Sequence, residues 1–132
     1  LINNILVLFV LGQRLEPAVG KLKFLLIYIA GGLGGNLISL FWDIHAGDYS
    51  VSAGASGAVF ALMGGMIYVI MRHRGRVADL TIRQMLIMAA FSLYFGFASE
   101  GVDNAAHAGG LVCGFLTAVI VYHPRKIWKI VP

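Results

Sequence analysis

VSAGASGAVFALMGGMIYVIM, residues 51–71, is the stretch that decides the fold. A membrane-spanning helix needs about 20 mostly apolar residues, and this run supplies them without a single charge. It does not suit a strand: it is too long, does not alternate with period two, and carries internal glycines. Working outward, four more blocks resemble it. They run from Leu1 to about Leu15, from about Leu22 to Trp42, from about Thr81 to Ala98 with Arg83 and Gln84 near the start, and from about Ala105 to Tyr122. The sequence predicts an all-α, polytopic transmembrane helical bundle with five spans.

The links between the blocks fix the orientation. Arg14, Lys21 and Lys23 lie between the first and second blocks, and Arg72, Arg74, Arg76 and Arg83 at or near the junction of the third and fourth. Arg125, Lys126 and Lys129 follow the fifth. With five spans, all 10 basic residues fall on one membrane face. The other face carries Asp43, Asp48, Glu100 and Asp103 and no Lys or Arg. The positive-inside rule puts the basic face in the cytoplasm. The short links and plain basic tail point to a bacterial plasma membrane.

Composition excludes several classes. Hydrophobic residues make up 59% of the 132 residues and charged ones 12%, about half the charge of a soluble domain. A disordered chain would be polar and charge-rich, and one Cys makes no disulfide framework. The net charge of +4 is explained by topology and anionic lipid, with no aromatic-basic stripe for nucleic acid. His45, His73 and His123 have no metal-site spacing. Gly31-Gly32-Leu33-Gly34-Gly35 lies mid-span with no Lys-Ser/Thr after it, so it is no phosphate loop. No metal and no cofactor are expected. The chain starts at Leu1, already apolar, and reads as a piece of a longer protein cut inside its first hydrophobic segment.

Polar groups inside spans are costly and usually functional or bundle-facing. Here they are Asn3, Asn4, Asn36, Ser39, Ser52, Ser56, Ser92, His107 and Thr117. Ser56 lies just inside the acidic, outer end of the third span, and His107 just inside the same end of the fifth. A serine hydroxyl is a weak nucleophile that needs a neighbouring base, and His is the usual one. Both helices carry small residues at every fourth position. These are Gly57, Ala61 and Gly65 on the third, and Ala106, Gly110, Gly114 and Ala118 on the fifth. Such faces let helix backbones approach closely, as does Gly31 with Gly35. Taken singly, Ser56 can simply bond the carbonyl four residues back, and His107 can be a satisfied interfacial residue.

The residues from Gly54 to Gly64, GASGAVFALMG, resemble the nucleophile helix of the rhomboid intramembrane serine proteases. Asp103 to Gly110, DNAAHAGG, followed by Gly114, resembles that family's general-base helix. Near the start, Asn4 matches the end of the family's H-x-x-x-N motif, its His falling before Leu1, and Gly12 and Leu15-Glu16 follow. The resemblance spans essentially the whole chain. It implies that residues 1–132 form a rhomboid-like transmembrane protease domain lacking the first of six core helices. It implies a Ser56 nucleophile, a His107 general base, and an oxyanion site from the Asn4 side chain and the Ser56 N–H. Phe60, one turn beyond Ser56, takes the place of the family's His-stacking aromatic. Gly54, Gly57, Gly110 and Gly114 serve close helix packing, and the Ser99–Asn104 loop with the helix before it forms a cap and gate. The activity implied is a serine endopeptidase that cleaves transmembrane protein substrates near the outer membrane face. The alternative is a catalytically silent relative that binds transmembrane clients. A small transporter is disfavoured, because no acidic residue lies within the spans.

Overall fold

The computed structural model describes residues 2–46, 54–73, 75–77, 80–98 and 104–122. Five helices account for nearly all of them: α1 (Ile2–Val19), α2 (Lys21–Ala46), α3 (Gly54–Arg72), α4 (Ile82–Ala98) and α5 (Asn104–Val121). A two-stranded antiparallel ribbon, β1 (Arg76–Val77) and β2 (Leu80–Thr81), joins α3 to α4, with Val77 opposite Leu80. The architecture is the all-α bundle expected, with a helix on each apolar block. By length and composition alone, α2 over Lys21–Trp42 is the one described helix that meets the test for a membrane span. Gly57–Arg72, Ile82–Phe95 and Ala105–Val121 are shorter apolar helices.

The boundaries differ from the sequence reading in three places. First, α1 continues past the end of its apolar block at Leu15, through Glu16 and Pro17 to Val19. Leu11, Leu15 and Val19 recur every four residues on one face and are all buried, so packing carries the helix onward. It stops at Gly20, whose φ of +91° favours glycine and whose N–H donates to the Glu16 carbonyl at 2.7 Å. Second, α2 runs past Trp42 and places His45 in its last turn rather than in a link. Third, the link after α3 contains the short ribbon. α3 itself ends with the N–H groups of His73 and Gly75 both donating to the Ile70 carbonyl, at 3.0 and 2.9 Å. Gly75 there has φ +89°. α4 opens with a capping box. The Thr81 N–H donates to Gln84 Oε1 at 3.0 Å, and the Gln84 N–H donates to Thr81 Oγ1 at 3.2 Å.

α3 is the central helix, packed against all four others. Leu62, Met63, Met66, Val69 and Ile70 on it are fully enclosed. The outside is apolar instead: Leu22, Leu25, Ile29 and Leu33 of α2 and Phe91 and Phe95 of α4 are exposed. Such a surface suits hydrocarbon, where helices satisfy their backbone polar groups internally.

Between lipid-soluble helices close packing replaces the hydrophobic drive, and here glycines provide it. A Cβ built on Gly110 would collide with the Gly57 carbonyl, one on Gly114 with the Ala61 carbonyl, and one on Gly64 with the Leu111 carbonyl. α2 closes from behind: a Cβ on Gly35 would lie 2.8 Å from the Gly110 nitrogen and 2.9 Å from the Ala106 oxygen. Gly114→Ala should therefore lower the thermal unfolding midpoint in detergent, since forced overpacking costs about 1–3 kcal/mol and backbone yields less than side chain. Gly12→Ala is the control. Its Cβ would meet the Phe24 ring at an ordinary 3.5 Å, and helix propensity favours Ala by about 1 kcal/mol, so the midpoint should hold or rise.

Candidate active site

Ser56 is the third residue of α3 and His107 the fourth of α5. The two helices run parallel. Gly57 meets Ala106 and Gly110, and Ala61 meets Gly114. This register sets the first turn of α3 beside the first turn of α5, at the end of the bundle away from the basic links. The side chains of Ser56 and Asn4 lie outside the described part of the structure. Their backbones belong to α3 and α1. Gly54 opens α3, so the N–H groups of its first turn have no acceptor within the helix and the positive end of the helix dipole lies at Ser56.

His107 is buried, only 9% exposed. Its ring stacks on Phe60, with centroids 4.4 Å apart and planes 17° from parallel. Phe60 follows Ser56 by one turn, so the two share a helix face. The stack covers one face of the imidazole and limits its rotation, and the ring's Nδ1 is buried.

Two other histidines are described; each also lies against an aromatic ring, Phe41 for His45 and Tyr122 for His73, but neither is buried as His107 is. His45 is exposed, hydrogen-bonded through Nδ1 to the Phe41 carbonyl at 3.0 Å. His73 lies at the opposite, basic end of the bundle. Its Nε2 hydrogen-bonds the hydroxyl of the buried Tyr122, and Lys23 Nζ lies 5.9 Å from that tyrosine ring. His123, Asp103 and Glu100 lie outside the described residues. Thr117 bonds the Cys113 carbonyl one turn back at 2.7 Å, a self-satisfied intramembrane hydroxyl. Cys113 packs against α2 where Gly34 leaves room. Among the described residues no group of three or more His, Cys, Asp or Glu converges as a metal site.

Asn36 carries a feature that its sequence context does not signal. Its Oδ1 is buried and no described group donates to it. It lies on α2, 3.7 Å from the point where a Gly57 Cβ would stand. The sequence marks Asn36 as an intramembrane polar residue, but only the packing of three helices puts it beside the Ser56 turn.

Burial lowers the His73 pKa from its ordinary value of 6.5. The unfolded chain then binds the proton more readily than the folded one, so stability rises with pH across the gap. His73's contribution is intact above the ordinary value and is lost as pH falls below it towards the folded value. Thermal unfolding midpoints measured between pH 7.5 and pH 5, roughly the range in which imidazole titrates, should drop more steeply for the native protein than for His73→Gln.

Comparison with known proteins places the chain in a family. The family described as Rhomboid domain matches residues 1–124. The chain is 34% identical to the rhomboid protease GluP of Bacillus subtilis (strain 168), covering 92% of this chain and 23% of that protein. It is 34% identical to the rhomboid protease AarA of Providencia stuartii, over 94% of this chain and 52% of that one. It is 35% identical to RHOMBOID-like protein 4 of Arabidopsis thaliana, over 97% of this chain and 32% of that one. The chain thus spans from about a quarter to a half of these relatives' length. No solved structure matches it significantly.

Proposed function

Because this chain belongs to the rhomboid family, and is on that ground an integral membrane protein, we propose that it is a serine endopeptidase acting on transmembrane protein substrates near the outer membrane face. The observation that carries this reading is the buried His107 ring stacked on Phe60, one helical turn from Ser56. The reaction needs no cofactor. His107 takes the hydroxyl proton as Ser56 Oγ attacks the scissile carbonyl. The tetrahedral oxyanion receives hydrogen bonds from the Ser56 N–H and the Asn4 carboxamide. His107 then gives the proton to the leaving amine, the C–N bond breaks, and an acyl-enzyme remains. Water attacks the ester carbon, its proton passes through His107 to Ser56 Oγ, and the carboxylic acid product leaves.

The residues correspond to the second to sixth helices of a six-helix core. Substrate arrives from the lipid. An apolar groove between α1 and α4, lined by Leu6, Val7, Val10, Leu11 and Met88, is a lateral opening of the right chemistry for a transmembrane segment. The basic face is cytoplasmic, and a bacterial plasma membrane suits the short links, although relatives come from plants as well as bacteria.

A fluorophosphonate probe tests the serine without a known substrate. In membranes the full protein should label, and Ser56→Ala and His107→Ala should both abolish labelling. Asn4→Ala should leave a folded protein whose peptide cleavage falls about 10²–10³-fold, the cost of one oxyanion donor. A well-folded protein that does not label would turn the assignment to the silent, client-binding alternative.

A further inference from the structure

We propose that the basic end of the bundle carries a binding site for the phosphate of an anionic phospholipid, formed by Lys23 and Arg72 around Tyr122. The site joins three helices. Lys23 lies in the first turn of α2, Arg72 is the last residue of α3, and Tyr122 directly follows α5. Tyr122 is the buried hub. Lys23 Nζ stands over its ring, 5.9 Å from the centroid. Its hydroxyl hydrogen-bonds His73 Nε2, and Arg72 lies close enough to act on that hydroxyl electrostatically. A cation held over a ring face keeps its charge for an anion. Among the described residues no carboxylate pairs with Lys23 or Arg72. The Lys23 side chain is half-buried and that of Arg72 exposed, so both ammonium and guanidinium can reach a phosphate.

The surroundings of the two cations select a lipid rather than a soluble phosphate. Leu22, Leu25, Leu26 and Ile29 of α2 and Met71 of α3 flank them and are exposed. This apolar flank begins where the cations stand, so Lys23 and Arg72 lie at headgroup depth, where lipid phosphate is concentrated. Long basic side chains near helix ends reach that level while their stems stay on apolar surface. A phosphate bridging the two ties the start of α2 to the end of α3, beside the Tyr122–His73 bond that already ties α5 to α3. Basic residues that only orient the chain act through the surface potential, and any of the 10 serves equally. A built site depends on these two and not on the others.

The test uses the full protein in detergent with three additives: dioleoyl phosphatidylglycerol, dioleoyl phosphatidylcholine and inorganic phosphate. The thermal unfolding midpoint is titrated against each, since a ligand bound only by the folded state raises it. Phosphatidylglycerol should raise the midpoint saturably. Phosphatidylcholine should not, and neither should inorganic phosphate at the same concentration. Lys23→Gln and Arg72→Gln should each weaken the apparent affinity for phosphatidylglycerol about fivefold, and together about 25-fold, from the usual attraction of one basic residue to an anionic surface. Lys23→Arg and Arg72→Lys keep the charge and should keep the response. Arg14→Gln removes a charge from α1, where the guanidinium is turned onto the Val10 carbonyl at 2.8 Å, and should leave the affinity unchanged. If the double variant does not fold, the single and charge-keeping variants decide in the same way. No rise with phosphatidylglycerol, an equal rise with phosphatidylcholine, or native affinity in the Lys23 and Arg72 variants would each overturn the proposal. So would a loss in Arg14→Gln as large as theirs, which means surface potential alone. A rise with inorganic phosphate that matches the lipid's would replace the lipid by a soluble anion and overturn it too.

Discussion

The backbones of α3 and α5 touch. Gly57 faces Gly110, Ala61 faces Gly114, and Gly64 faces the Leu111 carbonyl, with no room for a Cβ at Gly110, Gly114 or Gly64. In lipid, apolar side chains gain nothing by leaving their surroundings for one another, so helix association relies on packing at short range. Glycine allows the closest approach. It also brings the first turns of two parallel helices, remote in sequence, level with each other. The main features of the candidate site follow from that register: the Phe60–His107 stack and the neighbourhood of the Ser56 turn.

α2 completes a three-helix unit by the same means. Gly31 and Gly35 lie against Ala61, Gly114 and Gly110, and this proximity sets Asn36 beside the α3–α5 crossing. One end of the unit carries the candidate site, and contacts at the opposite end tie the helices together. There Tyr122 from the end of α5 bonds His73 beyond the end of α3, and Lys23 from α2 lies near the same tyrosine ring. α1 adds a buried leucine stripe. The helices that border the groove, α1 and α4, lie outside the glycine-packed unit.

Much of this is legible in the sequence because the bilayer leaves few choices. A long uncharged run must be a helix, since no other single segment satisfies its backbone in hydrocarbon, and all five blocks are helical. Glycine at every fourth position on two blocks announces close contact. Misplaced boundaries share one cause. Arg14, Glu16 and Pro17 look like a link by composition, but the four-residue recurrence of Leu11, Leu15 and Val19 buries the face they share, and burial outweighs the local signals. The capping box at Thr81 and Gln84 has a readable spacing. The ribbon before it rests on a pairing of two residues per strand, too short for any periodic signal.

The sequence by itself determined the class, the five helices and the family, because hydrophobic length and motif residues are local properties of the chain. It also marked Ser56, His107, Phe60 and Asn4 as the residues to examine. Tertiary structure decided what those residues meet. That Phe60 covers the His107 ring, that Gly57 faces Ala106, and that Asn36 sets a buried oxygen near Gly57 depend on how three helices cross. Crossing is set by the sum of many short-range contacts between segments far apart in the chain, and no single stretch of sequence contains that sum.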